Sequence, residues 1–193
     1  MIDLFSEKLT NYIVVNSDIS QSEIPKLNFA IKTILSEISK FILMFLLFFI
    51  LNKQYYFLLS FIILGSIRTH SGGIHFYTYK ACLAFSLIIF FITSYLVPTF
   101  IGKLPLYILM LLSLISLIII YIKSPIPSKY RRKNKRYNND KMIFRSKLIA
   151  SLATIFFITF SFIFLRNTHY INNAIMSICV QALQLLYPSN YEN

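Results

Sequence analysis

Three stretches of this chain, 83–101, 104–122 and 148–165, run for 19, 19 and 18 residues without a charged side chain. Polar surface cannot cover runs of that length in water, whereas about 20 apolar residues are what one helix needs to cross a bilayer. Only helices that satisfy their own backbone, or closed barrels, are stable in hydrocarbon. The composition agrees: 56% of the 193 residues are hydrophobic and 13% are charged, with a mean hydropathy of +0.65. A soluble domain carries about 25% charged residues. The chain therefore reads as an all-α integral membrane protein, a polytopic helical bundle of about six apolar segments.

The remaining segments follow from pattern and punctuation. Residues 1–28 are polar and mixed, with an amphipathic helix suggested by DLFSEKLTNYI, until Asp18, Ser20, Ser22 and Pro25 break it. Asp3 and Glu7 interrupt the first ten residues, so no secretory signal peptide is expected. Helical spacing of Phe29, Ile31, Ile34, Leu35, Ile38, Phe41 and Ile42 leads into the unbroken apolar run 41–51, predicting one helix over about 30–51. Residues 55–67 are apolar but only 13 long, which predicts a short or re-entrant helix. The stretch 171–187 carries Asn172, Asn173, Gln181 and Gln184 and is expected to pack against other helices. This gives an N-terminal segment 1–28, a transmembrane domain 29–187 with a basic loop 123–147, and a tail 188–193.

Charge sets the orientation. Segment 123–147 holds ten basic residues and one acid, Asp140, out of a net charge of +12 for the whole chain. A nucleic-acid patch is one reading of such a run. A loop between two apolar spans is better explained by retention of Lys and Arg in the cytoplasm, and no nucleic-acid partner is expected. Attraction to anionic lipid or to an acidic peptide is compatible with that placement. Counting crossings from the basic loop puts the start of span 83–101 on the cytoplasmic face.

The stretch 65–82, GSIRTHSGGIHFYTYKAC, gathers three of the four glycines, two of the three histidines, Arg68 and Cys82 at that membrane edge. A polar loop between helices accounts for the composition alone. The chemistry suggests more. Cys82 stands at a predicted helix N-terminus, where unpaired N–H groups, the helix dipole and nearby Lys80 favour an anion, and the thiolate is the nucleophile. The alternative is a small buried hydrophobe, the reading applied to Cys179. His75 is the candidate base, but seven residues of straight helix advance about 10.5 Å, beyond hydrogen-bond reach. A bend in 76–81, or pairing across a dimer, is required. No carboxylate occurs between Glu37 and Asp140, so a dyad is more economical than a triad. A zinc site of His70, His75 and Cys82 lacks a fourth ligand and has poor helical spacing. Arg68 reads equally as an interfacial anchor or as a group for a substrate carboxylate or oxyanion.

Arg68, Gly73, His75 and Cys82, spaced as RxxxxGxHxxxxxxC, together with the apolar spans, the SPIPSKYRRK after Ile122 and the basic loop, resemble the AgrB family of membrane cysteine endopeptidases. The resemblance covers about residues 30 to 187, and Gly72 and His70 are not part of its pattern. It implies a bacterial cell-membrane enzyme of quorum sensing that cleaves an AgrD-like precursor peptide, with Cys82 as nucleophile and His75 as base and no cofactor or metal. The acidic C-terminal tail would leave, and a precursor side chain would close a thiolactone on the thioester. Arg68 and Gly73 would support substrate or oxyanion, Lys129, Arg131, Arg132 and Lys133 would bind the tail, and the enzyme would act as a homodimer. A non-enzymatic peptide exporter is the competing class, though no intramembrane acid or ATP-binding motif supplies coupling. A structural membrane component with a lipid-binding loop is a third.

Overall fold

The computed structural model describes residues 2–17, 20–74, 78–101, 104–126, 140–166 and 168–187. The chain divides into two compact units, Met1–Ile50 and Leu51–Asn193.

The first unit is a pair of helices, α1 (Ile2–Val15) and α2 (Ile24–Ile50). They meet through polar side chains: Ser6 and Thr10 are buried, and Thr10 Oγ1 lies 3.3 Å from Asn28 Oδ1 while donating to the Ser6 carbonyl at 2.7 Å. Leu4, Phe5, Leu9, Tyr12 and Val15 face outward. α2 begins at Ile24, earlier than the expected residue 30, because Pro25 falls in its first turn. A proline there loses no hydrogen bond, since that N–H has no intrahelical partner anyway. Lys40, a buried cation in α2, is ion-paired with Glu37 one turn back.

The second unit contains α3 (Gln54–Ser71), α4 (Tyr79–Phe100), α5 (Leu106–Lys123), α6 (Asp140–Phe164) and α7 (Tyr170–Leu186). α2, α4, α5 and α6 are each long and apolar enough to cross a membrane. α3 and α7 run parallel, joined at their N-terminal ends by stacked Tyr56 and Tyr170, 4.5 Å between centroids, and at their C-terminal ends by Ser71 and Gln181. The start of α6 meets the end of α5, where Lys147 Nζ lies 4.4 Å from the Tyr121 ring. The C-terminal ends of α3, α5 and α7 and the start of α6 thus share one end of the unit, and α4 starts from it eight residues after Ser71.

Two helix ends lie beyond the charge-free runs. α3 carries the apolar run 55–67 on through Arg68, Thr69 and His70 to Ser71. Its 18 residues rise about 27 Å at 1.5 Å each, close to the hydrocarbon thickness. α6 starts at Asp140 rather than 148, taking in Lys141, Arg145 and Lys147. A charge-free run marks only the part of a helix that meets hydrocarbon, and long basic side chains extend it beyond that boundary. Asp140 in the first turn also suits the positive end of the helix dipole.

Packing differs from that of a soluble bundle. Small polar groups share the interior with apolar ones, and large apolar side chains also cover the outside. On α5, Leu109, Ser113, Ser116 and Ile120 are buried, while Met110, Leu111, Leu114, Ile115 and Ile118 are exposed. On α6, Ser151, Thr154 and Ser161 are buried and bond carbonyls of the preceding turn, while Leu152, Ile155 and Phe156 face out. Small side chains let helices approach closely where lipid provides no hydrophobic drive for association. α7 is the central element, with Ile171, Ala174, Ile175, Ile178, Ala182 and Leu185 all buried against Ile63 and Ile67 of α3, Leu109 and Ile120 of α5 and Ala150 of α6.

α4 contains a widened π turn, Ile92–Leu96, just before Pro98. The Val97 N–H donates to the carbonyl of Ile92, five residues back, instead of to Thr93. That leaves the Thr93 carbonyl open inside the unit, and Asn173 Nδ2 of α7 fills it at 2.8 Å. The same amide lies 2.9 Å from Ser60 Oγ, which Ser177 also reaches at 2.9 Å and Ser94 at 3.2 Å. Asn173→Ala removes both donations and orphans the Thr93 carbonyl. The expected loss is about 1–2 kcal/mol, read as a lower midpoint of thermal unfolding in detergent, with Ser161→Ala, whose bond is local to its own helix, as the milder comparison.

Candidate active site

Residues 71–74 form a turn at the common end of α3, α5 and α7. The Gly72 N–H closes the last turn of α3 on the Arg68 carbonyl at 2.9 Å. Gly72 then adopts φ 77° and ψ −158°, a conformation essentially restricted to glycine. Here the backbone crosses the segment following α5. Gly72 and Ile126 form a parallel bridge, and the Ile126 N–H donates to the Ser71 carbonyl at 2.9 Å. A Cβ on Gly72 would sit 2.1 Å from the Ile126 carbonyl oxygen.

Two glutamines of α7 support the turn from below. Gln181 is fully buried, and its Nε2 donates to Ser71 Oγ at 2.8 Å and to the Gly72 carbonyl at 2.9 Å. Gln184, one turn on, accepts from Arg68 Nη1 at 3.2 Å. Arg68 Nη2 donates to the carbonyl of Ile74. Gly73, at φ 154°, fits between these groups: a Cβ there would meet Gln184 Oε1 at 3.4 Å and Arg68 Nε at 3.6 Å. The half-buried guanidinium is thus engaged within the protein, tying the end of α3 to the residue that precedes His75.

Cys82 is held from the other side of the same connection. Thr78 is extended, φ −99° and ψ 140°, and caps α4 by accepting from the Ala81 N–H at 3.3 Å. The Cys82 N–H donates to the Thr78 carbonyl at 3.1 Å, so the half-buried thiol lies at the end of the first turn of the helix. Thr78 is extended and α4 starts at Tyr79, so the helix that carries Cys82 does not continue back past Thr78. Cys82 and Cys179 form no disulfide. Cys179 lies within α7, 3.2 Å from Ser116 Oγ. Among the described residues no three His, Cys, Asp or Glu side chains come together.

The structure therefore brings Arg68 and Gly73 into one corner and puts Cys82 at the head of α4. His75 and the basic residues Lys129, Arg131, Arg132 and Lys133 lie outside the described residues. Sequence reasoning missed Ser71, Gly72, Ile126, Gln181 and Gln184. One signal was available: Asn173, Ser177, Gln181 and Gln184 recur at helical spacing, marking a polar stripe on a single face. The charged groups described at this end are mostly basic, with Arg68 on α3, Lys80 on α4 and Lys123 ending α5 against Asp140 at the start of α6.

The family model for accessory gene regulator B matches residues 6–185. An AgrB-like protein of Clostridium beijerinckii is 31% identical over 188 residues, which cover 96% of this chain and 89% of the relative. No solved structure matches.

The glycine geometry yields a paired test. Gly72→Ala forces the bridge to Ile126 apart and strains the backbone by about 1–3 kcal/mol. Gly65→Ala, which meets nothing within 4 Å, is expected to be neutral. Thermal unfolding and limited proteolysis in detergent should separate the two variants; equal behaviour would contradict the bridge.

Proposed function

The chain belongs to the accessory gene regulator B family, membrane proteins of quorum-sensing peptide processing, and from that membership we propose that it is a membrane-embedded cysteine endopeptidase acting on an AgrD-like precursor peptide. Cys82 is the nucleophile and His75 its base. The thiol passes its proton to the imidazole as Sγ attacks the scissile carbonyl carbon. The C–N bond breaks, the leaving amine takes that proton, and the acidic C-terminal tail departs. The remaining peptide is held as a thioester on Cys82. A nucleophilic side chain of the precursor then displaces Cys82, which regains a proton, and the ring closes as a thiolactone when that side chain is a cysteine. A site at the membrane edge limits water and so favours cyclisation over hydrolysis.

The observation that carries this reading is the fixed frame on both sides of the proposed pair. Gly72 and Ile74 are held immediately before His75, and Thr78 caps the helix that begins Cys82's turn. Six residues separate the pair in sequence, and anchoring both ends of so short a connection limits the positions the two side chains can take. Such preorganisation is what nucleophile–base catalysis needs.

In this reading the site faces the cytoplasm. Lys123, Lys141, Arg145 and Lys147 stand at the same end of the unit as the turn, which supports that orientation by the positive-inside rule. The basic loop holds the acidic tail through Lys129, Arg131, Arg132 and Lys133, and the enzyme works as a homodimer.

Co-expression with the cognate precursor and mass analysis of the products tests the chemistry. Wild-type protein should release the tail and carry a peptide adduct on Cys82. Cys82→Ser should abolish cleavage, and His75→Ala should slow it by about 10²–10⁴-fold, with both variants still in the membrane. Cleavage at the wild-type rate by either variant removes that residue from catalysis. Replacing the four loop cations by glutamine should raise KM for the precursor by about tenfold or more and leave kcat nearly unchanged, with the KM effect shrinking as salt rises.

A further inference from the structure

Gln181 of α7 is fully buried within an apolar helix, where an amide is retained only if its hydrogen bonds repay its desolvation. Its two donations go to one place, the backbone and side chain of residues 71–72. Gln184 reaches the same turn through Arg68 and the Ile74 carbonyl. Neither amide is fully used: Gln181 Oε1 and Gln184 Nε2 have no hydrogen-bond partner. The amides keep a particular geometry at the cost of two unfilled sites.

What that geometry governs is the direction in which the chain leaves Ile74. Gly72 is in a glycine-only conformation, and the Gln181 amide is the side-chain donor that holds its carbonyl, alongside the bridge to Ile126 and the Arg68 contact to Ile74. The next residue is His75. We infer that Gln181 is a positioning residue for the proposed reaction: by holding the Gly72 carbonyl it fixes the backbone that leads into His75, with Gln184 and Arg68 as its support. This rests on the His75–Cys82 assignment above, and the test separates the two claims.

Cys82 can be followed without substrate in the Cys179→Ala background, where it is the sole cysteine. Its alkylation rate as a function of pH reports whether a base is beside it. Among the described residues, the titratable and charged groups at this end are Arg68 and His70 on α3, Tyr79 and Lys80 on α4, Tyr121 and Lys123 on α5, Asp140, Lys141, Arg145 and Lys147 on α6, and Tyr187 after α7. Each is kept constant across the variants. His75→Ala sets the profile of the unassisted thiol. Gln181→Met, which keeps length and volume but removes both donors, should shift the profile to that of His75→Ala and lower kcat for precursor cleavage by about 10²-fold, with KM within about twofold. Ser71→Ala, which leaves the Gly72 carbonyl in place, should keep the wild-type profile. If Gln181→Met fails to reach the membrane, Gln184→Met tests the same turn through Arg68 and should move the profile in the same direction. A wild-type profile in the glutamine variants, alongside a changed one in His75→Ala, overturns the positioning role alone. An unchanged profile in His75→Ala removes the dyad and the positioning role together.

Discussion

The unit from Leu51 onward depends on one requirement: a backbone carbonyl that a helix leaves open within the membrane must find a donor in the protein. Two such carbonyls matter. Thr93 is opened by the π turn of α4, and Gly72 lies beyond the last turn of α3. Both are filled by amides of the same helix, Asn173 and Gln181, eight residues apart on one face of α7. Each contact joins a different helix to α7, so the packing of α3 and α4 is fixed by the register of a single polar stripe. A shift of α7 by one residue would leave both carbonyls unpaired, a large error where no water is available.

The polar groups chosen for this work are almost all neutral. From Leu51 to Asn193 the chain has two acids, Asp140 and Glu192. Hydroxyls and carboxamides therefore make the interior contacts, and the cations stay at the ends of helices. This division keeps the desolvation cost of the interior low while leaving a strongly basic surface next to the turn. Among the described residues from Leu51 onward, Asp140 is the one acid set against these cations.

The membrane class and most of the helices were legible in the sequence, because long charge-free runs have few alternatives. The ends were not, because charged side chains continue a helix past the hydrocarbon: Arg68 and His70 read as the close of a short segment, yet α3 carries them in its last turn. The proposed site rests on the clustering of Gly73, His75 and Cys82 in the sequence, which carries no sign of the frame around it. Gly72 looked like an extra residue beside the pattern, and its φ of 77° with Ile126 across from it makes it the pivot of the turn. Nothing local links residue 72 to residues 126 and 181; that link exists only once three helices end at the same level. The π turn was equally hidden, since Pro98 marks an interruption without saying which carbonyl it frees.

The bridge between Gly72 and Ile126 and the donation from Gln181 also order events during synthesis. A chain entering the membrane from its N-terminus makes α3 and α4 first, α5 later and α7 last of these helices. Ile126 is available only after α5 is complete, and Gln181 only after α7 has been made. The contacts that hold residues 71 and 72 are therefore complete only when the last helix of the unit has been made.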